Sequence, residues 1–146
     1  MDTNGNYIQN QFCSYEIALK LKELGFNEVT FTYFKENCTL EENIICLNGV
    51  KFWNLSDIKE IAAPLWQQVI DWFREKHDIH IEIELTDNTT EFYYQYCIVD
   101  SKNREFHDED MLDQATRICN YKEKFNKFYD AREQAILKCI ELCKKN

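Results

Sequence analysis

The sequence predicts an α+β fold, a mostly antiparallel sheet of roughly four to five strands with helices packed on one face. Three observations lead there. Between Ala63 and His77 the apolar residues Leu65, Val69, Trp72 and Phe73 recur at helical spacing, and Trp66 and Ile70 widen the stripe. Between Ile79 and Leu85 the period changes to two, with Ile79, Ile81, Ile83 and Leu85 alternating with His80, Glu82 and Glu84. Asn48-Gly49, flanked by Ile44–Leu47 and Val50–Trp53, marks a hairpin, because a type I′ turn needs positive φ at both central residues.

The elements are expected in the order α-β-β-β-α-β-β-α-α. Residues 1–12 are polar and read as a loose N-terminus. Ser14 can cap a helix from Tyr15 to Leu24, with Ile17, Ala18, Leu21 and Leu24 on one stripe and Gly25 just past its end. Glu28–Phe34 is rich in β-branched and aromatic residues and reads as a strand. After the Asn48-Gly49 hairpin, Pro64 suits the first turn of the next helix, where its missing N–H costs nothing. The strand Ile79–Leu85 follows, then a turn over Thr86–Thr90 and a second aromatic strand from Phe92 to Val99. His107–Tyr121 reads as a helix with Met111, Leu112, Ala115, Ile118 and Cys119 inward and Asp108, Glu109 and Asp110 at its positive end. Tyr129–Lys144 is the last helix, striped by Ala135, Ile136, Cys139, Ile140 and Cys143 and ending in Lys144 and Lys145.

At 146 residues with 3 Gly and 1 Pro, the chain reads as a single domain over 1–146 without flexible linkers. A hydrophobic share of 45% and an aromatic share of 14% are enough for a packed core. No apolar run approaches the length of a membrane span, and the first residues lack the basic and apolar regions of an export signal, so the expected location is the cytoplasm. The 7 cysteines are accordingly expected to be reduced, small core residues. The net charge is −9. Through Cys119 there are 10 Lys and Arg against 22 Asp and Glu; from Asn120 onward there are 7 against 4. An acidic body repels phosphate backbones, which argues against nucleic acid as the main partner and favours a basic protein surface.

Three blocks resemble a known family: Ser14–Phe26 (SYEIALKLKELGF), Ala63–His77 with its APLWQQVIDWFREK run, and Tyr129–Ala135 (YDAREQA). In the same order they are similar to blocks of small proteins carried by phages, prophages and other mobile elements of Bacteroidetes-type bacteria. Phe34–Leu55 is not covered by the likeness, and 102–128 reads as a family-variable insertion. The resemblance implies a mobile-element setting, a bacterial host cell and a shared core. It carries over no catalytic residue.

No pattern of reactive residues rises above the background. No CxxC pair or phosphate-cradling glycine loop is present, since Gly5, Gly25 and Gly49 are scattered. His80, Glu82 and Glu84 share a strand face, and His107 adjoins Asp108, Glu109 and Asp110. Either group has the residue types for a divalent cation or an acid–base pair, but exposed charges on a half-buried strand and acids at a helix start are routine. The expectation is therefore a non-catalytic protein, with no cofactor and no metal. It binds a host protein with a basic surface, concretely a bacterial defence component, as an anti-CRISPR protein would bind a nucleic-acid-guided nuclease, and it has no membrane partner. The binding residues expected are Glu82, Glu84, Asp87, Glu91, Tyr93, Asp108, Glu109 and Asp110. The alternatives are a small metal- or thiol-dependent enzyme using the His/acid clusters or a cysteine, and a homo-oligomeric accessory protein of the phage.

Overall fold

The computed structural model describes residues 10–34, 60–88, 90–105 and 114–145. Over these residues it is α+β, with three helices and two antiparallel sheets of two and three strands. The chain divides into two compact units after Val69. The Asn48-Gly49 hairpin lies outside the described residues.

The first unit opens with α1, Tyr15–Glu23. The Ser14 hydroxyl accepts the Ile17 N–H, and the Ser14 carbonyl accepts the Ala18 N–H, so the cap and the first helical bond come from one residue. The helix stops where Gly25 takes φ 90°. The Phe26 N–H then reaches the Leu21 carbonyl and the Gly25 N–H the Lys22 carbonyl, closing the helix end with both Phe26 and Leu21 buried. Two short strands follow, β1 (Tyr33–Phe34) and β2 (Ile61–Ala62), which pair antiparallel. Ala18, Phe34, Ile61 and Ala63 form a buried cluster that Phe12 and Tyr15 flank.

The expected strand Glu28–Phe34 is thus realised only at its end. Thr30, Thr32 and Phe34 are its buried side, while Val29 and Phe31 are exposed. The Thr30 hydroxyl bonds the Thr32 carbonyl, a local contact that competes with a ladder.

Helix α2 spans Trp66–His77. Pro64 sits just ahead of it rather than in its first turn, and its carbonyl accepts the Cys13 N–H while Leu65 bridges Phe12. The Gln68 side chain accepts the Leu65 N–H and so tidies the helix start. Trp66, Val69, Trp72 and Phe73 are buried, as their spacing predicts.

The second unit is built on β3 (Ile79–Asn88), β4 (Glu91–Glu105) and β5 (Gln114–Cys119) in the order β3-β4-β5, with α3 (Phe128–Lys145) packed on β3 and β4. Asp78 adopts φ 55°, which ends α2 and turns the chain into β3 at once. Ten consecutive residue pairs join β3 to β4, from Ile79↔Asp100 to Asn88↔Glu91. The turn is held by the Asn88 side-chain oxygen, which accepts the N–H groups of Thr90 and Glu91.

Two expectations fail in this unit. The segment expected as a helix over His107–Tyr121 supplies β5 instead, within the stretch 102–128 that reads as an insertion. A helix would put Ile118 and Cys119 on one side; the strand sends them to opposite faces, Ile118 beside Ile98 and Cys119 beside Cys97. Pairing with the long β4 outweighs the helical spacing. The second failure concerns the thiols. Cys97 and Cys119 stand directly opposite each other, their Cα atoms 4.0 Å apart, and are joined as a disulfide, whereas Cys13, Cys139 and Cys143 are free. Among the described residues no helix is long and apolar enough to cross a membrane.

Candidate functional site

The hairpin of β3 and β4 has two chemically distinct faces. The register places Ile79, Ile81, Ile83, Leu85 and Asp87 with Phe92, Tyr94, Tyr96, Ile98 and Asp100 on the face that α3 covers. The far face carries His80, Glu82, Glu84 and Thr86 from β3 and Glu91, Tyr93, Gln95, Cys97 and Val99 from β4, with Arg117 and Cys119 from β5.

Four of the expected binding residues come together on the far face: Glu82, Glu84, Glu91 and Tyr93. Asp87 points to the opposite face, because it is one residue out of phase with Glu82 and Glu84. Asp108, Glu109 and Asp110 lie outside the described residues. Glu82 and Glu84 are exposed and make no ion pair among the described residues. Their Cα atoms stand about 7 Å apart along the strand, which lines up negative charge without converging it on a single ion. Glu91 is different: the Lys124 ammonium lies 3.9 Å from its carboxylate and 4.7 Å from the centre of the Tyr93 ring. Among the described residues no three His, Cys, Asp or Glu side chains come together as a group that could hold a metal.

An aromatic patch that the strand pattern alone does not reveal lies on the helix face, at the hairpin tip. Phe92 is 72% exposed and Leu85 59%. Phe128, at the start of α3, meets Tyr94 edge to face at 5.8 Å, and Tyr129 adjoins Phe128. The Arg132 guanidinium covers both rings, at 5.7 and 5.1 Å from their centres. The link that makes this possible is a single bridge: Tyr94 and Phe125 exchange both backbone hydrogen bonds, which brings the chain entering α3 against β4. Leu85 closes a strict alternation, so its spacing indicates a buried side chain; only the placement of α3 shows that the cover stops short of it. The aromatic residues Tyr33 and Phe34 belong to the other sheet, where β1 pairs with β2.

Several other titratable groups are engaged within α3 or at its packed face. Lys138 and Lys145 both bond Glu141, at 3.0 and 2.6 Å, and with Lys145 the stronger influence they hold its carboxyl down to about 2. Burial pushes the Cys139 thiol well above its ordinary range, with the neighbouring Cys143 and Asp100 adding to it, which favours its neutral form. Burial also raises the Cys143 thiol, with Asp100 contributing. His77 packs against Trp72 and Phe73, its ring centre 4.5 Å from that of Trp72, with Nε2 buried and without a hydrogen bond among the described residues. Burial, then the nearby Lys102, lowers its affinity for a proton. Comparison of the chain with protein-family models, curated proteins and solved structures returns no match.

Proposed function

We propose that this protein is a non-catalytic binding protein whose acidic hairpin docks on the basic surface of another protein. The observation that carries this reading is the pair Glu82 and Glu84, exposed on one strand face, with no ion pair among the described residues, on a strand whose other face α3 packs against. A rigid row of charge steers a partner of opposite sign and fixes its register. The exposed rings of Phe92, Phe128 and Tyr129 beside Arg132 have the composition of an interface anchor. The resemblance to phage and prophage proteins would place the partner in a bacterial host cell. Its concrete form is a defence component, such as a nucleic-acid-guided nuclease with a basic nucleic-acid channel, blocked sterically in the manner of an anti-CRISPR protein.

The test is retention of host proteins on the immobilised chain during a rising salt gradient, for wild type, E82Q/E84Q and E82K/E84K. The expected result is a basic host protein held at low salt, released early from E82Q/E84Q and not bound by E82K/E84K. Equal retention by the charge-reversed variant, or retention of no basic protein, would overturn the proposal.

A further inference from the structure

The backbone phase of β3 says how such a partner would be held. The Ser101 N–H donates to the Asp78 carbonyl, and the Asn120 N–H donates to the Tyr96 carbonyl. In an antiparallel ladder these two bonds set the alternation for the whole sheet. The even-numbered residues His80, Glu82, Glu84 and Thr86 exchange their backbone bonds with β4. The N–H and C=O groups of Ile81, Ile83 and Leu85 therefore point to the opposite edge, where no strand pairs among the described residues.

Sheet edges are normally blunted by brevity, proline or a bulge. β3 uses none of these: it runs for ten residues in unbroken register and contains no proline. Among the described residues, what guards it is charge. Pairing β3 antiparallel with a second copy about Ile83 would set each Glu82 opposite the other copy's Glu84, and pairing about Glu82 would set the two Glu82 side chains opposite each other; like charges in that position are destabilising. Glu82 and Glu84 would stabilise a strand carrying Lys or Arg at alternate positions. Between those cations the incoming strand would present apolar residues to Ile81, Ile83 and Leu85. Cover along that row falls away from Ile79, which is 3% exposed, to Leu85, which is 59% exposed.

We infer that β3 is an acceptor for an extended basic segment of a partner protein, added as a fourth strand through backbone bonds to Ile81, Ile83 and Leu85. This rests on the proposed binding role and specifies its geometry. Main-chain bonds supply the hold, and Glu82 and Glu84 select the sign of charge.

The probe is a fluorescent ten-residue peptide alternating Lys with Val, compared by anisotropy at low salt with three relatives. One alternates Glu with Val. The other two are the Lys peptide N-methylated on every second backbone amide, in each of the two phases. The lysine peptide should bind, the glutamate peptide should not, and E82K/E84K should reverse that preference. One N-methylation phase should weaken binding at least tenfold and the other little, because only one set of amides faces β3. In parallel, amide exchange at Ile81, Ile83 and Leu85 should slow when the lysine peptide is added. Equal binding of both N-methylated peptides with unchanged exchange would overturn strand addition while leaving charge-driven docking standing. Indifference to E82K/E84K would remove both. No binding of the lysine peptide would overturn the strand acceptor.

Discussion

The two ends of the β3–β4 hairpin share one register and one alternation of side chains, yet α3 roofs one end and leaves the other bare. At the roofed end Ile79, Ile98 and Asp100 are buried, and Cys139 and Ile140 of α3 are buried with them. At the bare end Leu85 and Phe92 stand in the open with the same strand period beneath them. The alternation chooses which face a side chain takes; the reach of the helix decides whether that face becomes core or contact surface. The near end therefore pays for the fold, and the far end is available for recognition.

The comparison breaks first if the roofed end is not the source of stability. Ile98 is fully buried in the central strand. Ile98→Ala removes its transfer energy and leaves a cavity between β4 and α3, so it should cost about 4 kcal/mol in urea unfolding. A cost near that of a surface substitution would mean that α3 does not pack as described.

The next largest effect belongs to the cross-strand bridge. The Cys97–Cys119 disulfide closes a loop with a sequence separation of 22. Constraining that loop in the unfolded chain should contribute about 3 kcal/mol. A reducing agent, or the pair C97S/C119S, should lower Tm clearly while helix content at room temperature stays the same. An unchanged Tm would show that the two thiols do not bond in solution.

These two cases also show what could be read from the residues in order. The stripes of α1, α2 and α3, the Gly25 stop and the alternation of β3 are local features, and each appears where its spacing places it. Glu82, Glu84, Glu91 and Tyr93 share a face because a period of two guarantees it once the register is in phase. Cys97 and Cys119 carry no mutual signal: they are 22 residues apart, and neither lies in a recognisable spacing. Their pairing appears only when β4 and β5 align, and that alignment is the same event that turns an expected helix into a strand. Asp87 shares the charge of Glu82 and Glu84 but not their parity, so it lies on the other face.

Acid should destabilise the fold through His77. His77 lies beside Trp72 and Phe73, and burial followed by the charge of Lys102 disfavours its protonated form. Its folded-state pKa is below the unfolded value, so the unfolded chain takes up the proton first. Stability linked to His77 is complete above pH 6.5 and is lost as pH falls through the lower folded-state value. Solvent still reaches part of the ring, which keeps the effect below that of the two preceding substitutions. His77→Phe should flatten the decline of stability between neutral pH and pH 5 relative to wild type. An identical pH profile for both proteins would place the acid sensitivity elsewhere.

The smallest expected effect on folding is also the sharpest test of the division between the two ends. Leu85→Ala and Phe92→Ala remove large apolar groups from the exposed tip of the hairpin. Little apolar surface is lost from the core, and each should change unfolding stability by no more than about 0.5 kcal/mol. The same substitutions should nevertheless weaken capture of a basic partner, because exposed rings and aliphatic side chains become valuable only when a partner removes them from water. A double variant with wild-type stability and wild-type capture would mean that the bare end contributes to neither process. A double variant that unfolds easily would mean that the apolar row of β3 is covered to its tip, and the contrast between the two ends would disappear.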